Sequence, residues 1–316
     1  MSTGPVFVFS LHRSGGTLLM RLLNCHPGLV IWGEHGGIIN QFVEMDEILK
    51  LHRHLNPLAG NAEKLADFVN NEGDSLNTFT PWAGPLTTPI FHEATRKFLN
   101  ESFSRGLKPG QRWGFKEIRY HKPQTAAFLF DLFPNGQIIL LQRELIDAAI
   151  SNILAPWSLR LVTQESGEAD EAMAIKIIED VAYGLLAFEH AFKEIKAKFP
   201  RRTTEIEYAA LRDDGIGAIT RVSEFLNLPV TPEVEDDWAK TLSAKLGTTN
   251  KAAKSGSILN RDFIERHLTA ALPRLREEFA EEGLRPLVSW PAQRQRRYAA
   301  MLGDHEVKNT SYTTVF

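Results

Sequence analysis

Apolar residues open the chain as a short unbroken run, Val6–Phe9, and then change period. After Ser10–Gly16, with its two adjacent glycines, Leu18, Leu19, Leu22 and Leu23 recur at helical spacing within Thr17–Cys25. The shift from a β-branched and aromatic run to a 3.6-residue period predicts strand, tight loop, helix. His26-Pro27-Gly28 stops the helix, and Leu29–Trp32 is a second apolar run ending at Gly33-Glu34. A strand–helix–strand opening with apolar strands implies a parallel sheet buried on both faces.

From about Ile38 to Phe103 the pattern is mostly helical, broken by the proline-rich stretch Thr78–Pro89 around Trp82, and predicts a helical cap. A strand is predicted at Trp113–Ile118, a helix at Pro123–Phe133 and a strong apolar strand at Gln137–Gln142. Helical periodicity follows at Leu145–Leu154 and over the long stretch Asp170–Phe199, which Pro200 ends. Thr203–Tyr208 reads as a further strand; Gly217–Leu226, Pro232–Lys245 and Arg261–Glu281 read as helices, with a polar loop at Gly247–Asn260. No internal repeat is visible. The fold class is therefore α/β, a three-layer arrangement around a central parallel sheet: one domain over 1–283 with a helical insertion at about 38–110, and a tail over 284–316 packing on the domain or on a partner subunit.

Composition narrows the chemistry. With 316 residues, 43% hydrophobic and 24% charged, the chain can bury a large core. A net charge of -3 gives no overall pull toward nucleic acid or anionic lipid, so an anion must be bound by a local basic site. One cysteine, Cys25, leaves no internal disulfide and no cysteine-rich zinc site, which suits a reducing compartment. The N-terminus has no signal-peptide pattern and no apolar stretch reaches bilayer length, so a cytoplasmic protein without a membrane span is expected.

The string Ser10-Leu11-His12-Arg13-Ser14-Gly15-Gly16-Thr17 lies where strand turns into helix, the place where free backbone N–H groups and the positive helix end face one point. Gly15 and Gly16 let backbone approach an anion, Arg13 adds a charged fork of donors, and Ser14 and Thr17 offer hydroxyls. The nucleoside triphosphate P-loop needs Lys then Ser or Thr after its last glycine, whereas Gly16 is followed directly by Thr17. A plain strand–helix turn with an exposed arginine is the bland alternative.

Phe9–Leu23 resembles the 5′-phosphosulfate loop of the sulfotransferases that use 3′-phosphoadenosine 5′-phosphosulfate (PAPS), whose usual core is Lys or Arg, Ser, Gly, Thr, Thr; the tyrosylprotein branch and its bacterial relatives are the best match. The likeness continues through Leu-Leu-Asn-Cys-His-Pro-Gly to Gly33-Glu34 and covers residues 5–35, 112–155 and, weakly, 200–230. Gly16 departs from it, standing where a Thr is usual. The resemblance implies a P-loop-like fold and an enzyme that moves a sulfuryl group from PAPS to an acceptor hydroxyl or amine and releases PAP. It also implies that Glu34, 21 positions after Arg13, is the catalytic base, with His35 as the alternative; taken by itself, Glu34 reads as a glutamate pairing with a nearby arginine or capping the next helix. Lys116, in Trp113-Gly114-Phe115-Lys116-Glu117, matches the lysine near the transferred group, where with Arg13 it would stabilise growing negative charge. Burial would separate that role from a surface lysine on an edge strand.

Gln137–Gln142 ends in Arg143, with Ser151 eight residues later and Asp147 between; this resembles the family's 3′-phosphate motif. Two anion sites at strand ends of one parallel sheet suit a nucleotide phosphorylated at 3′ and 5′. Tyr208 resembles a tyrosine near the nucleotide, and Lys254 and Ser257 lie where the chain of relatives folds over the 3′-phosphate, though without the glycine–lysine string of the cytosolic enzymes; a solvated loop is the other reading. His52-Arg53-His54, His92-Glu93 and His121 lack metal-ligand spacing, so no metal is expected. Arg294-Gln295-Arg296-Arg297 is too short for a nucleic-acid site and reads as a solvated face or the contact of a homodimer. Trp157-Ser158-Leu159-Arg160 reads either as acceptor wall or as a loop anchor. The expected partner is a small-molecule, glycan or peptide acceptor. The rival readings are a P-loop kinase of small molecules and a non-catalytic PAP-binding module.

Overall fold

Phe7 and Phe9 point to one side of β1 (Val6–Ser10), Val6 and Val8 to the other, and all four are fully buried. A strand can be apolar on both sides only when both faces of its sheet are covered. The computed structural model describes residues 4–51, 86–120, 122–155, 171–244 and 259–282. In chain order β1 is followed by α1 (Gly16–Asn24), β2 (Leu29–Trp32), α2 (Ile39–Leu51), α3 (Thr88–Ser104), β3 (Arg112–Glu117), α4 (Pro123–Leu132) and β4 (Gln137–Gln142). Then come α5 (Leu145–Ile153), α6 (Glu171–Lys198), β5 (Thr203–Glu207), α7 (Tyr208–Asp213), α8 (Gly215–Phe225), α9 (Pro232–Ser243) and α10 (Arg261–Glu282). The readings at 52–54, Trp82, His121, 157–160, Lys254, Ser257 and 284–316 fall outside the described residues.

The five strands run parallel in the order β2-β3-β1-β4-β5, with Val8 opposite Lys116 on one side and Ile139 on the other. Phe7, Phe9, Phe115, Ile138 and Leu140 meet Ile39 of α2, Leu99 of α3, Phe128 of α4, Ile150 of α5, Ile178 of α6 and Leu268 of α10 on one face. Val6, Val8, Ile31, Ile139, Leu141 and Ile206 meet Leu19 and Leu22 of α1, Leu211 of α7, Val222 of α8 and Trp238 of α9 on the other. The result is the three-layer α/β arrangement expected from the alternation of elements. The chain leaves β1 toward the β3–β2 edge and leaves β4 toward the β5 edge. Between those two neighbours the connections diverge, opening a crevice at the strands' carboxyl ends, where parallel α/β proteins place their ligands.

Two boundaries differ from the sequence reading for local reasons. Tyr208 begins α7 rather than ending β5, because Ala209-Ala210-Leu211-Arg212 are strong helix formers. Helix α8 starts at Gly215, two residues early, because the Asp214 carboxylate accepts from the Gly217 N–H at 3.0 Å and caps the first turn.

Candidate active site

The loop between β1 and α1 is shaped by two left-handed residues, Arg13 at φ 61° and Gly15 at φ 89°. Such residues curl a backbone so that successive N–H groups turn toward one concavity. For a non-glycine residue this conformation costs about 1–3 kcal/mol and persists only where neighbours hold it. Arg13 is held at both ends: its carbonyl accepts from Arg143 Nη1 at 2.8 Å, and its Nε donates to Ser151 Oγ at 3.3 Å. Gly15 is the N-cap of α1 and supplies no side-chain cap, so the first-turn amides keep their outward donors. A Cβ at Gly15 would lie 2.4 Å from the Tyr208 ring, which is why no larger residue fits. Ser14 is buried, and its hydroxyl donates to the Leu11 carbonyl at 2.7 Å, closing the turn. Thr17 stands exposed on the first turn of α1.

Lys116, on β3, is 5% exposed, which removes the surface-lysine reading. Its aliphatic chain runs past Gly16, whose Cβ would lie 3.2 Å from Lys116 Cδ, and its ammonium pairs with Glu34 at the end of β2. The other Glu34 oxygen accepts from Arg119 Nη1 at 3.2 Å. Because β3 lies between β2 and β1, residues 34, 116 and 16 become neighbours although far apart in sequence.

Glu117 points to the opposite face and is fully buried. It accepts from the backbone N–H groups of His35, Gly37 and Ile118 at 3.1, 2.9 and 2.8 Å, and from Arg119 Nη1 at 2.6 Å. His35 Nδ1 lies 3.2 Å from the same carboxylate. Burial alone would raise the Glu117 pKa, but the His35 ring, the Ile118 amide, Arg119 and the Gly37 amide outweigh it and hold the group at about 2. Glu117 therefore pins the turn that carries Glu34. The same contacts turn the His35 ring inward, 4.5 Å from the Phe115 ring and 5.7 Å from Tyr120.

A testable consequence follows from linkage. A carboxylate depressed from 4.5 to about 2 stabilises the fold above its unfolded pKa, and the contribution is lost as pH falls through the folded value. Its size is about 3 kcal/mol. Denaturant titrations between pH 7 and pH 2 should show Glu117→Gln less stable than wild type at neutral pH and flatter between pH 5 and 2. Parallel curves would contradict the assignment.

At the end of β4, the Arg143 guanidinium lies over the Tyr208 ring at 4.8 Å. Its Nη1 is spent on Arg13, and its Nε is buried with no hydrogen-bond partner among the described residues. A buried charged donor left unpaired is costly, and an anion in the crevice would satisfy it. Ser151, on α5, bonds to Arg13 rather than to Arg143, so the two anion motifs are stitched together through Arg13. Asp147 pairs with Arg261 Nη2 at 3.0 Å and fastens α5 to α10. Glu34, Lys116, Gly16, Gly15, Tyr208, Arg143, Arg13 and Ser151 thus form one continuous group. Ser10, Glu117 and Arg119 join it without having been singled out from sequence; the dense charge of Lys116-Glu117-Ile118-Arg119 at a strand end is the signal that pointed there. Among the described residues, no three His, Cys, Asp or Glu side chains gather as a metal site, and no helix is long and apolar enough to cross a membrane.

A parallel α/β sheet with a basic, glycine-lined crevice at its switch point is the architecture on which phosphorylated or sulfated groups can be held at a strand–loop–helix turn. The sulfotransferase family matches residues 5–232, and the chain belongs to that family: it transfers a sulfuryl group from PAPS. No curated protein matches by sequence. Among solved structures it is similar to sulfotransferase STF9 from Mycobacterium avium, at 14% identity over 90% of this chain and 78% of the other, with a TM-score of 0.49. It is also similar to mouse sulfotransferase SULT7A1 complexed with PAP, at 13% identity over 88% and 82% of the two chains, with a TM-score of 0.44.

Proposed function

We propose that the crevice over β1, β3 and β4 holds PAPS with its 5′-phosphosulfate on the loop from Arg13 to Thr17 and its 3′-phosphate on Arg143 and Ser151. The observation that carries this reading is the buried Nε of Arg143, which has no partner among the described residues and is set one hydrogen bond away from the first loop. Bound there, PAPS supplies an activated sulfuryl group with PAP as its leaving group.

The chain's own residues then have distinct tasks. Arg13 and the α1 amides neutralise the 5′ end, and Lys116 adds a fixed charge beside Gly16. Glu34 accepts the acceptor's proton on a carboxylate oxygen, while Arg119 and Lys116 orient the group from either side. Glu117, acting through the backbone of residues 35 and 37, keeps that carboxylate at the end of β2. The exposed side chains of Trp32 and Ile38 flank Glu34 in sequence and favour an acceptor with an apolar body, whether small molecule, glycan or peptide.

The reading is tested by incubating the protein with PAPS labelled in the sulfuryl group and a panel of phenols, sugars, amines and tyrosine peptides, beside a parallel panel with ATP and magnesium. Label should pass to an acceptor in the first set only. Phosphorylation in the second set, with none of the label transferred in the first, would instead make the protein a kinase.

A further inference from the structure

Ser10 closes β1 on the same face as Val8 and Lys116, beneath the first turn of α1. It is 0% exposed, and its hydroxyl has no hydrogen-bond partner among the described residues. A buried hydroxyl left in that state costs roughly 1–3 kcal/mol, so its presence calls for a ligand or an explanation in packing. Packing does not supply one, since alanine would fill the same strand position without the orphaned group.

The hydroxyl lies where a side chain on residue 16 would go. A Cβ built on Gly16 meets Ser10 Oγ at 2.8 Å and Lys116 Cδ and Cε at 3.2 and 3.3 Å. The glycine leaves room for the serine hydroxyl in this position: a side chain on residue 16 would require Ser10 Oγ to move. The hydroxyl so placed is bracketed by the α1 N-terminus and by the Lys116 side chain, the two groups that face the 5′ end of the nucleotide in the reading above.

We propose that Ser10 is a hydroxyl donor to the 5′-phosphate of the nucleotide, and that Ser10 and Gly16 form a reciprocal pair in which a strand residue supplies the hydroxyl absent from the loop. The inference rests on the PAPS reading of the crevice. It assigns to Ser10 a binding role that its position at a strand end does not advertise.

Calorimetric titration with PAP and AMP, together with thermal melts of the unliganded protein, tests it. Ser10→Ala should weaken both nucleotides alike, by about tenfold, the lower end of what a hydrogen bond to a charged group is worth. Its unliganded melting temperature should stay level or rise, because an unsatisfied buried group is removed. Gly16→Thr alone should melt lower and bind PAP more weakly through the clash with Ser10, and Ser10→Gly with Gly16→Thr should recover both properties. If wild type binds PAP and Ser10→Ala binds it equally well, or if Ser10→Ala melts lower with affinity unchanged, Ser10 is a packing residue and the proposal is wrong. If wild type binds neither nucleotide, the PAPS reading itself fails and takes this assignment with it.

Discussion

Glu34→Gln is expected to lower sulfuryl-transfer turnover by roughly 10²–10⁴-fold while leaving PAP affinity unchanged, the signature of a lost general base. The substitution is nearly isosteric, and the amide oxygen can still accept from Lys116, so the end of β2 keeps its shape. What disappears is a carboxylate able to take a proton as the acceptor oxygen attacks. His35→Ala is the control, because an imidazole is the commonest general base and stands next in sequence. The structure turns that ring inward, between Phe115 and Tyr120 and against Glu117, so its removal should lower stability more than the rate of transfer. Should Glu34→Gln retain most of its activity while His35→Ala loses it, the base is His35. A collapse of PAP binding in Glu34→Gln would make Glu34 a structural residue.

The fold was legible wherever burial follows from an apolar run. β4 lies at Gln137–Gln142 in both readings, and the central strands of a doubly covered sheet announce themselves in this way. β3 begins one residue earlier than its apolar run, at Arg112, because a buried arginine does not look like strand interior. Its guanidinium donates to the carbonyls of Gly4 and Leu226 and to Gln137 Oε1, and burial lowers its pKa to about 10. Those partners lie far along the chain, so no local pattern could announce them.

The site divides along the same line. The loop from Arg13 to Thr17 is contiguous, and its residue types suffice to mark it as a candidate anion site. The pairing of Glu34 with Lys116 depends on β3 being inserted between β2 and β1, a non-consecutive order that periodicity cannot give. Ser151 was matched to Arg143 by spacing, yet its hydrogen bond goes to Arg13, because the end of α5 reaches the first loop. Glu117 was overlooked for a simpler reason: strand alternation sends it to the face opposite Lys116, away from the motif its neighbour belongs to, and only the turn at residues 35–37 brings it into use.

In the proposed placement of PAPS, Arg143 is the residue that would separate a bisphosphorylated nucleotide from an ordinary one. If its Nε and free edge grip the 3′-phosphate, wild type should bind PAP more tightly than AMP by about 10- to 150-fold, the worth of one charged hydrogen-bonded contact. Arg143→Ala removes that contact but also the donor to the Arg13 carbonyl, so it should cost AMP a smaller factor as well. Arg143→Lys resolves the two effects. A lysine keeps a charge but lacks the planar fork that spans the Arg13 carbonyl and the phosphate together, so it should hold the pair less well. The most direct measurement is therefore the ratio of AMP to PAP dissociation constants by calorimetry, taken on wild type and on both variants. A large ratio in wild type that falls toward one in Arg143→Ala and lies between in Arg143→Lys is the predicted result; equal affinity of wild type for PAP and AMP, or a ratio that Arg143 does not change, would contradict the placement of PAPS in this crevice.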